Sequence, residues 1–297
     1  MNFETTLAGI PLEHPLMNAA GTCRLLEEVS QLARSATAAI MVGSITMEPR
    51  QGNGGNVYWV ESDYSLNSLG LPNRGIEYYG LKLPAMVAEA HAHGKPLFVS
   101  IAGFSAEEYA IMSKIAFAGG ADMVELNLGC PNVWQGGMQK RIACFDPVLV
   151  ANILRQVETW VGAEAKIACK VSPYSDPFQL AQVAEVIGKS KLVKAVTTVN
   201  TFPNAFGLNG EAPRITPAGG LAGMAGPALK PIGLGQVRQL RALLPSTQQL
   251  IGVGGIIHST GVREYILAGA SAVQIATAYL ERGETIFSSI LSELTDE

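Results

Sequence analysis

Eight short runs dominated by apolar residues recur along the chain, each followed by a segment long enough for a helix, and this alternation constrains the fold more than any single residue. The runs are PLMNAAG (15–21), AIMVGSIT (39–46), PLFVSIAG (96–103), DMVELNLG (122–129), AKIACKVSP (165–173), LVKAVTTVN (192–200), LIGVGG (250–255) and AVQIATAY (272–279). Nearly continuous apolar strands suit a parallel sheet, because parallel neighbours need crossover helices and those helices bury the sheet face. The intervening segments carry helix signals. Ser105-Ala-Glu-Glu108 reads as a capping box, and Asp146-Pro147 and Asp176-Pro177 each pair an N-cap acceptor with a residue preorganised for the first turn. Gly94, Gly119–Gly120 and Gly269 stop three of these helices.

Eight strand–helix repeats suit closure into an α/β fold of the (β/α)8 TIM barrel type with long active-site loops. An open doubly wound sheet is the other architecture with this alternation. No Ser/Pro-rich linker interrupts the pattern, so residues 1–297 are expected to form a single domain, as barrels of about 250 residues do. With 48% apolar and 15% charged residues, the chain can bury a large core.

Composition also narrows the functional classes. A net charge of −4 with no basic stripe argues against a nucleic-acid partner. The N-terminus MNFETTLAGI lacks a cationic region followed by an apolar run, and the apolar stretches are strand-sized, so no membrane association and a cytoplasmic location are expected. Cys23, Cys130, Cys144 and Cys169 show no C-x-x-C spacing and no nearby histidine at ligand spacing, so no metal site is predicted.

In a barrel, chemistry collects where strands end and βα loops begin. Asn18–Gly21 ends the first run, Asn127–Asn132 the fourth and Asn200-Thr201 the sixth, while Lys170 sits late in the fifth. Segments 47–75, 131–146 and 201–230 exceed ordinary connection lengths and read as loops that build or cover a site. Gly252-Val-Gly254-Gly255 after the seventh run, with Ala276-Thr277 at the eighth, offers backbone amides where barrels commonly hold phosphate, although tight turns also use glycine. Lys170 lies among apolar residues and needs an acceptor or an anionic ligand; an ordinary buried ion pair would also satisfy it. Asn18, Asn67, Asn127, Asn132 and Asn200 each offer a donor and an acceptor, which is what a ring with alternating C=O and N–H groups needs for oriented binding. Cys130 stands between such carboxamides, where a thiolate could take a proton from a carbon beside a carbonyl. A lone cysteine is more often a buried filler, and the other three cysteines are read that way.

These residues resemble the dihydroorotate dehydrogenase family, specifically its soluble FMN-containing enzymes. The resemblance runs through LMNAAG (16–21), SITMEPRQGN (44–53), NSLGLPNRG (67–75), ELNLGCPNV (125–133), KVSPY (170–174), VNT (199–201), GPALKPIGL (226–234), GVGGI (252–256) and QIATA (274–278). It implies FMN as cofactor and oxidation of dihydroorotate to orotate in pyrimidine biosynthesis, with Cys130 taking the C5 proton while a hydride leaves C6 for flavin N5. It implies that Asn67, Asn127, Asn132, Asn200 and Thr201 hold the pyrimidine and that Leu69, Gly70 and Leu71 close over it. Lys170 and Asn127 would meet the flavin, the lysine neutralising charge at N1/O2. Ala20, Gly21, Ser44, Gly226, Gly254, Gly255, Ala276 and Thr277 would complete the FMN site.

The chain departs from the family's pattern at Gly43, where a lysine is expected before SIT. Loss of that ammonium near a substrate carboxylate would weaken binding by ~1–3 kcal/mol, so Arg50, Lys140 or Arg141 compensates or the substrate differs. The subclass signals are mixed. NSLGLPN is similar to homodimeric, fumarate-reducing enzymes; GPALKPIGL and Asn200-Thr201 are similar to those paired with an electron-transfer subunit; and segment 134–147 is similar to the flavin domain of dihydropyrimidine dehydrogenases. A homodimer is expected from the resemblance. Gly129-Cys-Pro131 also resembles tRNA dihydrouridine synthases, against which the acidic balance counts. Three alternatives remain: a dehydrogenase of a dihydropyrimidine without the carboxylate, a Schiff-base aldolase acting through Lys170, and a flavin-binding scaffold without catalysis.

Overall fold

The computed structural model describes residues 3–135 and 138–296. Eight parallel strands make one sheet: β1 (Leu16–Asn18), β2 (Ile40–Ile45), β3 (Leu97–Ile101), β4 (Met123–Asn127), β5 (Ile167–Val171), β6 (Val193–Thr198), β7 (Gln249–Val253) and β8 (Ala272–Ile275). Each overlaps one of the eight apolar runs. Their order is β1-β8-β7-β6-β5-β4-β3-β2, so every strand pairs with its sequence neighbour except β1 with β2. That last seam is closed without a strand ladder: the Ala38 amide donates to Leu16 O at 2.9 Å, and the Asn18 carboxamide accepts from Met41 N at 2.8 Å and donates to Met41 O at 2.9 Å. A side chain here does the work of a peptide group.

Helices α1 (Leu26–Arg34), α2 (Gly75–Ala92), α3 (Ala106–Ala118), α4 (Pro147–Val161), α5 (Pro177–Lys189), α6 (Lys230–Leu243) and α7 (Ser259–Ala268) cross between successive strands, and α8 (Thr277–Arg282) and α9 (Thr285–Asp296) follow β8. The fold is a (β/α)8 TIM barrel. Ser105 Oγ accepts from Glu108 N at 3.1 Å, and the returning bond of Glu108 Oε2 falls on Phe104 N at 2.6 Å, one residue earlier than a regular capping box. Asp146 and Asp176 cap α4 and α5 through the amides two residues on. The eighth apolar run is shorter as a strand than its sequence suggests. Pairing with β1 ends at Ile275, and Thr277–Tyr279 already belong to α8.

Two-residue periodicity sorts the barrel interior into layers. Met17, Met41, Phe98, Met123, Ala168, Ala195, Ile251 and Ala272 form an apolar floor, joined by Leu7, Ile10 and Leu12 of an N-terminal hairpin (Thr5–Leu7 with Ile10–Leu12) that plugs the bottom. Two residues further along four of these strands stand Glu125, Lys170, Thr197 and Gln274, all buried. The interior thus changes from apolar to polar toward the C-terminal ends of the strands, where the long connections lie.

Those connections differ from the expected loops. Tyr58–Val60 and Ser65–Asn67, from the segment after β2, pair with Ala222–Ala225 and Phe202–Ala205, from the segment after β6, as a four-stranded antiparallel sheet. Meeting across the mouth, the two segments satisfy each other's backbone groups, which an isolated loop would leave to water. In segment 131–146, Trp134–Gln135 pairs with Met138–Gln139, and Gly136 and Gly137 between them lie outside the described residues. Among the described residues no helix is long and apolar enough to cross a membrane.

Candidate active site

The chain leaves β4 through a constriction at Gly129, where an added Cβ would lie 2.7 Å from Ser172 N. Only glycine passes there, and the turn delivers Cys130, Pro131 and Asn132 to the barrel mouth. They line a chamber with Asn67, Asn127 and Asn200 and with Leu69, Gly70 and Leu71 of the segment after β2. Gly21 and Ser44 complete its wall on the side of β1 and β2. A second chamber holds Lys170, Gly226, Gly254 and Gly255. Ala20, Asn200, Thr201, Ala276 and Thr277 line both, so the two are parts of one cleft.

Hydrogen bonds fix the carboxamides in pairs. Asn132 Nδ2 donates to Asn67 Oδ1 at 2.8 Å, and Asn67 Nδ2 donates to Gly223 O at 3.3 Å, tying the β4 turn to the small antiparallel sheet. Asn200 Nδ2 donates to Asn127 Oδ1 at 3.0 Å; Asn127 Nδ2 donates to Ser44 Oγ, itself 2.9 Å from Ser100 Oγ. Each pair uses part of its hydrogen-bonding capacity on the other and on neighbouring protein groups. Asn53 Nδ2 adds a bridge from Ser68 O at 2.8 Å to Asn132 O at 3.3 Å. Asn18 is the exception among the five asparagines. It is fully buried and occupied by Met41 and Thr22 in the β1–β2 seam, away from either chamber.

Cys130 is partly exposed, whereas Cys23, Cys144 and Cys169 are fully buried. Burial around the sulfur pushes the Cys130 thiol above its ordinary range, opposed by the Asn132 backbone amide and by the charges of Lys140, Arg50 and Lys170. Cys144 is pushed up to about 11 by burial. Arg50 donates to Gly70 O at 3.0 Å and Lys140 to Gly103 O at 2.6 Å, with both cations against the Phe104 ring. They stand behind the chamber wall rather than on it. Arg141 is exposed and paired with Asp146 at 3.1 Å, and it takes no part in the cleft. At Gly43, φ is +110° and an added Cβ would lie 2.3 Å from Ser100 O, so no side chain fits this position on the present backbone.

Several residues on the cleft carried no sequence argument. Arg24, Tyr58, Ser65 and Leu280 line the first chamber. Tyr58 and Ser65 are placed by the small sheet, Leu280 by α8 and Arg24 by the connection from β1 to α1, none of which a local pattern announces. Glu125 and Gln274 beneath Lys170 were legible by the argument applied to that lysine, since each is a polar residue inside an apolar strand.

A family model described as dihydroorotate dehydrogenase matches residues 2–297. Dihydroorotate dehydrogenase A (fumarate) of Lactococcus lactis subsp. cremoris is 34% identical over 98% of this chain and 93% of its own length. The catalytic subunit of dihydroorotate dehydrogenase B (NAD(+)) of Thermoplasma acidophilum is 33% identical over 99% of this chain and 92% of its own. Among solved structures, DHODH of Eimeria tenella in complex with ferulenol superposes with a TM-score of 0.84 at 18% identity, covering 99% of this chain and 84% of that one, a likeness of fold. With the match spanning the whole barrel and the relatives aligned almost end to end, the chain belongs to the dihydroorotate dehydrogenase family.

Proposed function

We propose that the protein oxidises dihydroorotate to orotate with FMN as its cofactor. The observation that carries this reading is the convergence of Cys130 and four asparagine carboxamides on one chamber that opens into a second, glycine-walled one containing Lys170. The second chamber suits a phosphorylated flavin. Gly226, Gly254 and Gly255 adopt φ of +83°, +126° and +68° and bring bare backbone close, and no carboxylate is among the described lining residues. The buried Thr201 Oγ1, on the wall shared by both chambers, has no partner among the described residues and is available to a ligand.

Bound there, FMN supplies a two-electron acceptor for the hydride from C6 of the substrate. Cys130 removes the C5 proton, acting as the general base. Asn67, Asn127, Asn132 and Asn200 orient the ring through its C=O and N–H groups, with Thr201 beside them. Leu69, Gly70 and Leu71 cover it and offer backbone amides to the substrate carboxylate, with Arg50 holding Gly70 O from behind. Lys170, buried at the chamber floor, would present its ammonium to the flavin, and its seclusion from water would strengthen the interaction. Fumarate or an electron-transfer partner takes the electrons onward, the protein acts as a cytoplasmic homodimer, and residues 1–297 serve as one catalytic domain.

Anaerobic titration of the purified protein with dihydroorotate tests this. The expected result is loss of the flavin's visible absorption in proportion to substrate added, with orotate appearing. A yellow protein that dihydroorotate does not bleach would rule the proposal out.

A further inference from the structure

Beneath Lys170 lies a carboxylate that the proposed chemistry does not use. Glu125 is fully buried inside the barrel, two residues before Asn127 on β4. Its Oε2 accepts from Thr197 Oγ1 at 2.8 Å and from Gln274 Nε2 at 3.1 Å. Its Oε1 is buried without a hydrogen bond and faces Lys170 Nζ at 4.0 Å. Lys170 Nζ in turn donates to Gln274 Oε1 at 3.2 Å, so the glutamine carboxamide bridges the two charges, with its oxygen toward the lysine and its amide toward the glutamate. Four strands, β4, β5, β6 and β8, contribute one member each, and the apolar floor lies directly below.

An acid so placed is hard to account for as a stability device. Isolated pairs of buried charge are commonly no more stable than apolar residues of the same size, and this one leaves a carboxylate oxygen without a hydrogen bond. The arrangement makes sense if the lysine must be kept charged and still at the chamber floor. With Oε2 locked by two donors, the free oxygen can only point at the ammonium, while Gln274 fixes the distance. At 4.0 Å the pair attracts without closing into a hydrogen bond, so the lysine keeps donors for a ligand above it.

We propose that Glu125 is a positioning residue, which together with Gln274 holds the Lys170 ammonium at the floor of the second chamber and balances its charge there. The consequence for a flavin rests on the proposed function; the hold on Lys170 does not. Where FMN is bound, an unbalanced lysine would favour the reduced, more negative flavin beyond what the paired lysine does.

The test uses Glu125→Gln and reads two quantities that mere folding would not move. In flavin-free protein, the rate of Lys170 acetylation by acetic anhydride, followed by mass spectrometry, should rise about tenfold as the opposing charge is lost. In FMN-loaded protein, the equilibrium for flavin reduction should become about tenfold more favourable, about 30 mV upward for a two-electron couple. In a Lys170→Met background the second effect should disappear, because no ammonium is left for Glu125 to balance. Glu125→Asp, which keeps the charge on a shorter arm, should fall between wild type and Glu125→Gln in labelling rate, and it decides the matter if the glutamine variant does not fold. Unchanged labelling in the variants, or an equal shift of potential with and without Lys170, overturns the assignment. Failure of the wild-type protein to take up FMN would remove the proposed function, and the labelling comparison would still decide the role of Glu125.

Discussion

Cys130 shows how one residue's environment sets a testable pH profile. Burial raises its thiol, so little thiolate exists at neutral pH, and a step that needs the thiolate must accelerate as pH rises through the folded-state value. The rate of substrate-driven flavin bleaching should therefore increase about tenfold per pH unit on the acidic limb, with a midpoint above that of a free thiol. Stopped-flow measurement from acid to alkaline pH checks this, and a flat profile would mean that proton removal is not governed by this group. Replacing the thiol by a hydroxyl should slow bleaching by about 10²–10⁴ at neutral pH, since a serine hydroxyl ionises far less readily than a thiol, while FMN stays bound. Unchanged kinetics in Cys130→Ser would exclude its role.

At the scale of elements, two features carry distinct predictions. The β1–β2 seam depends on Asn18, whose removal leaves the buried N–H and C=O of Met41 without partners. Asn18→Ala should cost about 2–4 kcal/mol of stability, seen as a lowered urea midpoint. The lid over the mouth depends instead on Asn53, which ties Ser68 to Asn132. Asn53→Ala should loosen the Leu69–Leu71 cover and raise the KM for dihydroorotate about tenfold, the loss of roughly one partly buried hydrogen bond. Steady-state kinetics separates this from a fold defect, because the thermal midpoint should barely move.

For the whole molecule, cofactor and fold should be coupled, since the proposed FMN site draws on the ends of β5, β7 and β8 and on both lid segments. At a hundredfold excess of FMN over its Kd, binding adds about 2.7 kcal/mol, so stripping the flavin should lower the thermal midpoint by about 4 °C in a chain of 297 residues. Differential scanning calorimetry of loaded and stripped protein measures it, and equal midpoints would place the flavin elsewhere or nowhere. Much of this architecture was legible in advance. Runs such as DMVELNLG declare a strand buried on both faces, and Asp146-Pro147 declares a helix start, because both signals are local. The small sheet over the mouth was not legible. Ser65–Asn67 pairs with Ala222–Ala225 from more than 150 residues away, and neither segment alternates strongly enough to read as a strand by itself.

Short stretches of chain encode the repeat that closes into a barrel, the glycine turns, and the residue types that bear chemistry at strand ends. Which of those residues share a space is settled in the folded barrel. It moved Asn18 from the ring-binding set to the barrel seam, placed Arg50 and Lys140 behind the chamber wall and Arg141 outside it, and set Glu125 under Lys170. The physical reason is that side-chain direction and distance depend on strand register and on how connections from opposite sides of the barrel meet, and neither is encoded within any one segment.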